Sequence, residues 1–287
     1  MTPEALAAWH PPKTGRRGRS PQYADLAIET GHLLRLAFGR PWRQTEGLLR
    51  SLATLLGLDV GIPDHTTFSR RSPGLALAST LGQAQRTGPV HVVVDTTGLK
   101  VYGAGEWLTQ GHGDRGRRTW RKLHLAVDSE TGEILASELT TTEEGDAALV
   151  GPLLEQITGP IASVTADGAY DGEPVYRAVS ERQPDPLAAV IIPPRATAVP
   201  SPSADTAPTQ RDQHLRMIRD RGRMAWQKAV GYGKRSFGET AVFRYKAIIG
   251  RRLRARTLPS QKTEARAGCA VLNRMTRLGM PVSQRIV

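Results

Sequence analysis

The stretch His91-Val92-Val93-Val94-Asp95 decides the fold, because it predicts a short apolar strand that ends in a carboxylate. A second stretch, Val164-Thr165-Ala166-Asp167-Gly168, repeats this arrangement. Either Asp on its own could simply begin a turn. Two such residues on neighbouring strands of one sheet, however, would put two carboxylates side by side. Because like charges repel, that arrangement favours a cation between them.

The segments around these two stretches alternate between strand and helix patterns. Residues 119–127 and 133–139 predict two further strands, and residues 187–192 predict a fifth. Helices are predicted to begin at Asp146 and at Asp171, each acting as the N-cap. Three strands, helix, strand, helix, strand is the order of a ribonuclease-H-like fold. We therefore predict an α/β fold, a ribonuclease-H-like mixed sheet with flanking helices.

The N-terminal part predicts short helices with basic edges. Leucines recur at near-helical spacing over residues 21–60, with Thr45 as the cap of the second run, and residues 64–71 predict a short capped helix. We predict a helical, helix-turn-helix-like DNA-binding region over residues 1–88 and the ribonuclease-H-like domain over residues 89–287. A helical bundle that serves only as a scaffold explains the N-terminal pattern equally well.

Composition limits the remaining possibilities. Residues 193–210 are rich in Pro, Ser, Thr and Ala and predict a mobile linker or surface loop. The single cysteine, Cys269, excludes an intramolecular disulfide framework and fits a reducing compartment. No stretch approaches the roughly 20 apolar residues of a membrane span. We predict a cytoplasmic protein that does not contact the membrane.

The charge distribution predicts a polyanionic partner, of which nucleic acid is the commonest. The formal net charge is +12, and residues 211–256 hold fourteen Lys or Arg against three acids. A solvated basic surface is the alternative, but clustering argues against it because phosphate neutralisation is cumulative. DNA contacts are predicted in three further basic clusters, at Arg16, Arg17, Arg19, Arg70, Arg71, Arg117, Arg118, Arg121 and Lys122.

Glu239 is the only acidic residue from position 221 to position 263. It could be the ion-pair partner of Arg235, four residues earlier. At about 100° per residue, however, a helix would bring four residues within roughly 60° of one another, Tyr232, Arg235, Glu239 and Lys246. A ring, two cations and one acid on a shared face favour a surface that grips a phosphate backbone around a metal.

The spacing of these four residues resembles the YREK signature of DDE transposases from bacterial insertion sequences, most closely the insertion-sequence-five branch. The resemblance extends over most of the chain, from about Pro11 to about Met280, and the Pro- and Ser-rich stretch 196–209 departs from it. The other stretches that carry it are Pro63–Thr67, Asp95–Lys100, Arg121–His124, Thr165–Asp171 and Leu253–Thr257.

The resemblance implies that Asp95, Asp167 and Glu239 are the catalytic and metal-binding triad, holding Mg²⁺ or Mn²⁺, as two ions. It implies binding to the terminal inverted repeats of a mobile element, cleavage at the element ends, and joining of the 3′ ends to target DNA by phosphoryl transfer. A homodimer on paired ends is the expected assembly.

The same resemblance implies that Arg235 and Lys246 contact phosphates, with Tyr232 beside them. His124 is interpreted as a strand residue near DNA rather than a metal ligand, because hard metals prefer oxygen. Two alternatives stay open: a ribonuclease-H-like nuclease that cuts without strand transfer, and a catalytically silent DNA-binding protein.

Overall fold

The computed structural model describes residues 3–11, 21–77, 88–101, 120–183 and 185–279. The chain divides into two compact units. The first comprises Met1–Thr80, Lys100–Thr119 and Tyr245–Val287, and the second comprises Leu81–Leu99 and Trp120–Arg244. The predicted boundary at residue 88 stays a prediction. No helix in the described part of the chain is long and apolar enough to cross a lipid bilayer.

The second unit contains a mixed sheet with helices packed against it, as predicted. The strands are β1 (Val90–Val101), β2 (Trp120–Asp128), β3 (Ile134–Thr140), β4 (Ile161–Thr165) and β5 (Ala189–Ile191). Strands β2 and β3 are antiparallel, whereas β1 pairs parallel with β4 and β4 with β5, in the order β3-β2-β1-β4-β5. Two helices, α5 (Val150–Glu155) and α6 (Glu173–Arg182), bury apolar side chains against β1, β3 and β4.

The parallel register of β1 and β4 determines where the two predicted aspartates lie. Val93 pairs with Thr165, so Asp95 and Asp167 each lie two residues beyond the same paired position. Because side chains alternate along a strand, residues two apart point to the same side, so we expect both aspartates on the side of the sheet that Val93 and Thr165 face. The prediction that Asp95 ends its strand is wrong. Strand β1 continues to Val101, and its last two residues pair with a short strand β6 (Arg252–Leu253) within the first unit.

The predicted helix-capping roles of Asp146 and Asp171 are wrong, because a glycine occupies the N-cap position in both cases. Asp146 is the first residue of a 3₁₀ turn, and its Oδ1 lies 2.9 Å from Lys122 Nζ. Asp171 is buried and accepts hydrogen bonds from Arg211 Nε at 2.7 Å and from the Arg195 amide at 3.0 Å. Both carboxylates therefore bind distant cationic residues.

The segment predicted as a mobile linker or surface loop joins β5 to helix α7 (Gln210–Arg221), inside the second unit, so it does not link two units. The segment is a surface loop anchored by the buried carboxylate of Asp212. That carboxylate accepts hydrogen bonds from the amide and hydroxyl of Ser201, at 2.7 and 2.8 Å, and of Thr209, at 2.9 and 2.7 Å. Proline and serine richness did not reveal this anchor, because its acceptor lies in the following helix.

Asp212→Asn is expected to destabilise the protein in a pH-dependent manner. Burial alone would raise the pKa of Asp212, but the hydrogen bonds from Ser201 and Thr209 outweigh it and hold the pKa well below its usual range. A lowered folded-state pKa means that the stabilisation is fully present above the unfolded-state value, about 4, and is lost as the pH falls towards the folded-state pKa. Urea unfolding should give equal differences from wild type at pH 7 and pH 5, and a smaller one at pH 3.

The matched control for this measurement is Asp205→Asn, because Asp205 is fully exposed and forms a surface ion pair with Arg216. Exposed ion pairs contribute little to stability, so this variant should unfold like wild type. An Asp212→Asn difference that stays constant from pH 5 to pH 3 would contradict the anchoring role of the charge.

The first unit is helical, and the short N-terminal helices predicted from the sequence are present. The prediction that Thr45 caps a helix is wrong: Thr45 is buried inside its helix and its hydroxyl donates to the Pro41 carbonyl. Asp64 does cap the fourth helix by accepting from the Thr67 amide. The helices are α1 (Pro3–Ala7), α2 (Asp25–Ala37), α3 (Trp42–Leu55), α4 (His65–Arg71) and, near the C-terminus, α10 (Leu258–Leu278).

Candidate active site

The four residues with the signature spacing lie in three successive kinds of helix. Tyr232 and Arg235 bound a 3₁₀ turn, Glu239 lies in helix α9 (Ser236–Arg244), and Lys246 lies in a π-helical segment (Tyr245–Ile249). Helix α8 (Arg223–Val230) precedes the 3₁₀ turn. The four residues therefore do not share one α-helix, because Tyr232 and Arg235 precede α9 and 100° per residue does not hold across this segment.

Arg235 links two of the predicted carboxylates. Its Nη1 makes a close ion pair with Glu239 Oε1, four residues later, and its Nη2 lies 3.7 Å from Asp167 Oδ2. The local ion pair suggested by the spacing is thus present, and the same guanidinium also reaches the end of β4. Glu239 is the most exposed of the three, with 60% of its side chain accessible, against 36% for Asp167.

Helix α9 lies directly against β1 at Gly238. A Cβ atom at Gly238 would lie 3.0 Å from the Cβ of Asp95, 3.0 Å from Val93 Cγ1 and 3.3 Å from Asp95 Oδ2. The missing side chain therefore lets the helix backbone reach the strand. Since Glu239 follows Gly238, this contact brings the third acid to the strand that carries Asp95.

The electrostatics of Asp95 agree with this arrangement. Burial raises the pKa of its carboxyl, and the negative charges of Asp167 and Glu239 act in the same direction. The Thr96 amide, which donates to Asp95 Oδ1 at 2.8 Å, and the Arg235 guanidinium act against them. Arg235 thus pairs with Asp167 and Glu239, and its charge and theirs all act on Asp95.

The donor set suits a hard divalent cation, although the side chains are not in coordinating positions. Among the described residues, no three His, Cys, Asp or Glu side chains are arranged to hold a metal ion. Arg235 instead supplies positive charge to Asp167 and Glu239. Carboxylate oxygens are the ligands that Mg²⁺ and Mn²⁺ prefer, and a cation would relieve the repulsion that contributes to the raised pKa of Asp95.

The interpretation of His124 as a strand residue is confirmed, because it lies in strand β2, where it is fully buried. Its nearness to DNA stays a prediction. Both of its ring nitrogens contact threonine hydroxyls, those of Thr96 and Thr140, at 2.9 Å. Thr96 also contacts the hydroxyl of Tyr170 at 2.7 Å. Sequence reasoning missed Thr96 and Tyr170. A histidine inside an apolar strand was the available signal, since buried polar groups need partners.

The predicted DNA-contacting cations differ in what they contact within the protein. Arg71 makes close contacts with the Tyr23 carbonyl and the Asp25 carboxylate, and Lys122 binds Asp146. Arg70 is exposed, and Arg121 is half-buried. The remaining predicted contacts lie outside the described residues, at Arg16, Arg17, Arg19, Arg117 and Arg118.

A shallow cavity of about 590 Å³ in the first unit is lined by residues from the beginning of helix α3 and from helix α4. Its lining includes the exposed side chains of Arg43, Gln44, Thr66, Ser69 and Arg70, and none of its lining residues is acidic. Two arginines among amide and hydroxyl groups form the kind of surface that contacts phosphates and base edges.

Comparison with known protein families gives two matches, both described as "Transposase DDE domain". One covers residues 1–104 and the other residues 86–274, which is more than half of the chain. Among solved structures, the chain is similar to a piggyBac transposase in a cryo-EM synaptic complex with hairpin DNA. The identity is 12% and the TM-score 0.41, over 98% of this chain and 72% of that one.

Proposed function

Because the chain belongs to the family of transposase DDE domains, we propose that Asp95, Asp167 and Glu239 are the catalytic carboxylates with which it cuts and joins DNA. The observation that carries this proposal is the grouping of the three acids around Arg235, far apart in sequence yet within electrostatic reach of one another. Repulsion among three carboxylates costs stability, and groups perturbed in this way cluster at functional sites, so their grouping favours an active site.

The finer classification is a ribonuclease-H-like core of the insertion-sequence-five branch. The strand order β3-β2-β1-β4-β5, with helices following β3 and β4, supports the core assignment. The spacing of Tyr232, Arg235, Glu239 and Lys246 supports the branch.

Members of this family generally use divalent metals, and we assign Mg²⁺ or Mn²⁺, as two ions, to Asp95, Asp167 and Glu239. When bound, such ions activate the attacking oxygen and stabilise the leaving oxygen of a phosphodiester. The Asp95 carboxylate is held in place, since it lies within a long strand and its Oδ1 accepts a hydrogen bond from the Thr96 amide. The Glu239 carboxylate is exposed, so substrate can reach it.

Arg235 and Tyr232 are proposed to contact the DNA beside the carboxylates, and Lys246, in the first unit, is proposed to contact a DNA phosphate. The planar guanidinium of Arg235 suits a phosphate and is held at the acids by Asp167 and Glu239. Tyr232 packs on Trp226 with ring centroids 5.5 Å apart, which steadies the turn before α9. Lys246 supplies a compact charge.

The N-terminal region is proposed to recognise the terminal inverted repeats in a helix-turn-helix-like manner, through the cavity at α3 and α4. Arg43 and Arg70 lie exposed there, and Gln44 offers an amide that can read a base edge. Arg71 acts differently, because its guanidinium is occupied by Asp25 and Tyr23. A homodimer holding two ends, acting in the cytoplasm, completes the proposal.

The test uses the purified protein, Mg²⁺ or Mn²⁺, and DNA carrying both ends that flank its own gene, with a plasmid as target. A transposase should expose 3′ hydroxyl ends and join them to the plasmid. Cleavage without joining would favour the nuclease alternative, and binding without cleavage the catalytically silent one. Sedimentation of the complex on two ends should give two protein chains per pair, and one chain per pair would overturn the dimer.

Arg235→Ala and Lys246→Ala are each expected to reduce the slope of log binding constant against log salt by about one. Each removes one phosphate-neutralising charge, and counterion release is proportional to their number. Filter binding of labelled end DNA at several salt concentrations measures the slope. Arg177→Ala is the matched control, because Arg177 is exposed on α6 and lies outside the site. Slopes equal to that of the control would mean that neither residue contacts phosphate.

A further inference from the structure

A chain of hydrogen bonds crosses the sheet of the second unit beside the first candidate carboxylate. The Tyr170 hydroxyl lies 2.7 Å from Thr96 Oγ1, which lies 2.9 Å from His124 Nδ1. On the other side of the ring, His124 Nε2 lies 2.9 Å from Thr140 Oγ1, and Thr140 donates to the Thr141 carbonyl at 3.0 Å. Tyr170, His124 and Thr140 are all buried.

The direction of every hydrogen bond in this network can be worked out from the Thr141 carbonyl at its end. The Thr141 carbonyl can only accept, so the Thr140 hydroxyl donates to it and accepts from His124 Nε2–H. Burial lowers the pKa of His124, which favours the neutral ring. A neutral ring protonated at Nε2 accepts at Nδ1. Thr96 therefore donates to the ring and accepts the hydroxyl proton of Tyr170.

The chain connects the two backbone segments that carry the aspartates. Thr96 follows Asp95, and its amide donates to Asp95 Oδ1 at 2.8 Å. Tyr170 ends a 3₁₀ turn whose N-cap is Asp167: Asp167 Oδ1 accepts from the Ala169 amide at 2.8 Å, and the Asp167 carbonyl accepts from the Tyr170 amide at 3.1 Å. The hydrogen bond between Tyr170 and Thr96 is therefore a cross-link between these segments.

We propose that Tyr170, Thr96 and His124 are positioning residues that fix the separation of Asp95 and Asp167 and so raise the affinity of this site for divalent cations. The inference rests on the proposed function, in which both carboxylates bind metal. Two carboxylates repel each other, and an interaction that holds their segments together before a cation arrives lowers the cost of binding it. His124 holds Thr96 in the rotamer that accepts from Tyr170.

The test measures binding of Mn²⁺ alone, without DNA, by titration calorimetry and by the electron paramagnetic resonance signal of free Mn²⁺. Tyr170→Phe and Thr96→Val are each expected to weaken Mn²⁺ binding by about tenfold, as is typical when a residue that orients a metal ligand is lost. His124→Leu should have the same effect. His124→Gln should recover part of the affinity, because its amide keeps one donor and one acceptor.

Tyr176→Phe is the matched control. The Tyr176 hydroxyl is also largely buried, but it has no hydrogen-bond partner among the described residues. Its loss should leave the Mn²⁺ affinity unchanged. Thermal unfolding of all variants separates a folding defect from a binding defect, and Tyr170→Phe keeps the inference testable if Thr96→Val does not fold.

Asp95→Asn separates the inference from the function on which it rests. Wild-type Mn²⁺ affinity in Asp95→Asn would overturn the proposed metal site itself. Loss of binding in Asp95→Asn, together with wild-type affinity in Tyr170→Phe and Thr96→Val, would overturn the positioning role alone. Loss in Asp95→Asn with about tenfold weakening in the other two supports both.

Discussion

Glu239→Gln is expected to slow metal-dependent cleavage at the element ends by about 10²- to 10³-fold, the effect of losing several kcal/mol of transition-state stabilisation. Glutamine keeps the shape of the side chain but loses the negative charge that attracts a hard cation. With 60% of the side chain accessible, Glu239 contributes little to packing, so the fold should persist. Single-turnover cleavage of end DNA in Mg²⁺ measures the rate, and thermal unfolding checks the fold.

Glu181→Gln is the control for the change of charge. Glu181 is an exposed glutamate in the last turn of α6 and is not one of the three acids. Its variant should cleave at the wild-type rate. If Glu239→Gln also cleaves at the wild-type rate, the assignment of Glu239 to the catalytic site is wrong.

Gly238→Ala is expected to lower the cleavage rate by about 100-fold, although the substitution adds a single methyl group outside the catalytic side chains. The new Cβ would lie 3.0 Å from Asp95 Cβ and from Val93 Cγ1, so α9 must move away from β1 and carry Glu239 with it. Displacement of a catalytic group by about 1 Å can cost on the order of 100-fold in rate. Overpacking of this kind also costs about 1–3 kcal/mol of stability.

Gly47→Ala is the matched control, because Gly47 lies in helix α3 and a Cβ there would meet no atom within 4 Å. Alanine in place of glycine in such a helix stabilises by about 0.5–1 kcal/mol. Urea unfolding should therefore show lower stability for Gly238→Ala and higher stability for Gly47→Ala. The cleavage rate should fall only in Gly238→Ala. A fully active Gly238→Ala protein would show that the contact between α9 and β1 is not required for catalysis.

Local patterns predicted the strands and the mixed sheet well, because apolar runs and alternation report burial directly. They failed where a distant segment decides the outcome. Strand β1 extends past Asp95 because β6, about 150 residues later, pairs with its end. Asp171 resembles a helix cap in sequence, but it is bound by Arg195 and Arg211 from beyond β5.

The sequence pattern pointed to the charged residues of the candidate site. It missed the residues whose role depends on a contact with a distant part of the chain. Asp95 and Asp167 followed from their positions beside two apolar strands, and Glu239 from its isolation in a basic segment. Nothing in the pattern marks Gly238, whose role is the absence of a side chain at a close approach. Tyr170 was missed as well, because its hydrogen bond crosses to another strand.

The shared register of β1 and β4 restricts where this protein can change in length. Inserting one residue between Val93 and Asp95, or between Thr165 and Asp167, would turn one aspartate to the opposite face of the sheet while leaving composition and charge almost untouched. Additions to the loop after β5 would not turn either aspartate, since that loop does not set the pairing of β1 with β4. We therefore expect the segments Val93–Asp95 and Thr165–Asp167 to tolerate insertion far less than the surface loops do.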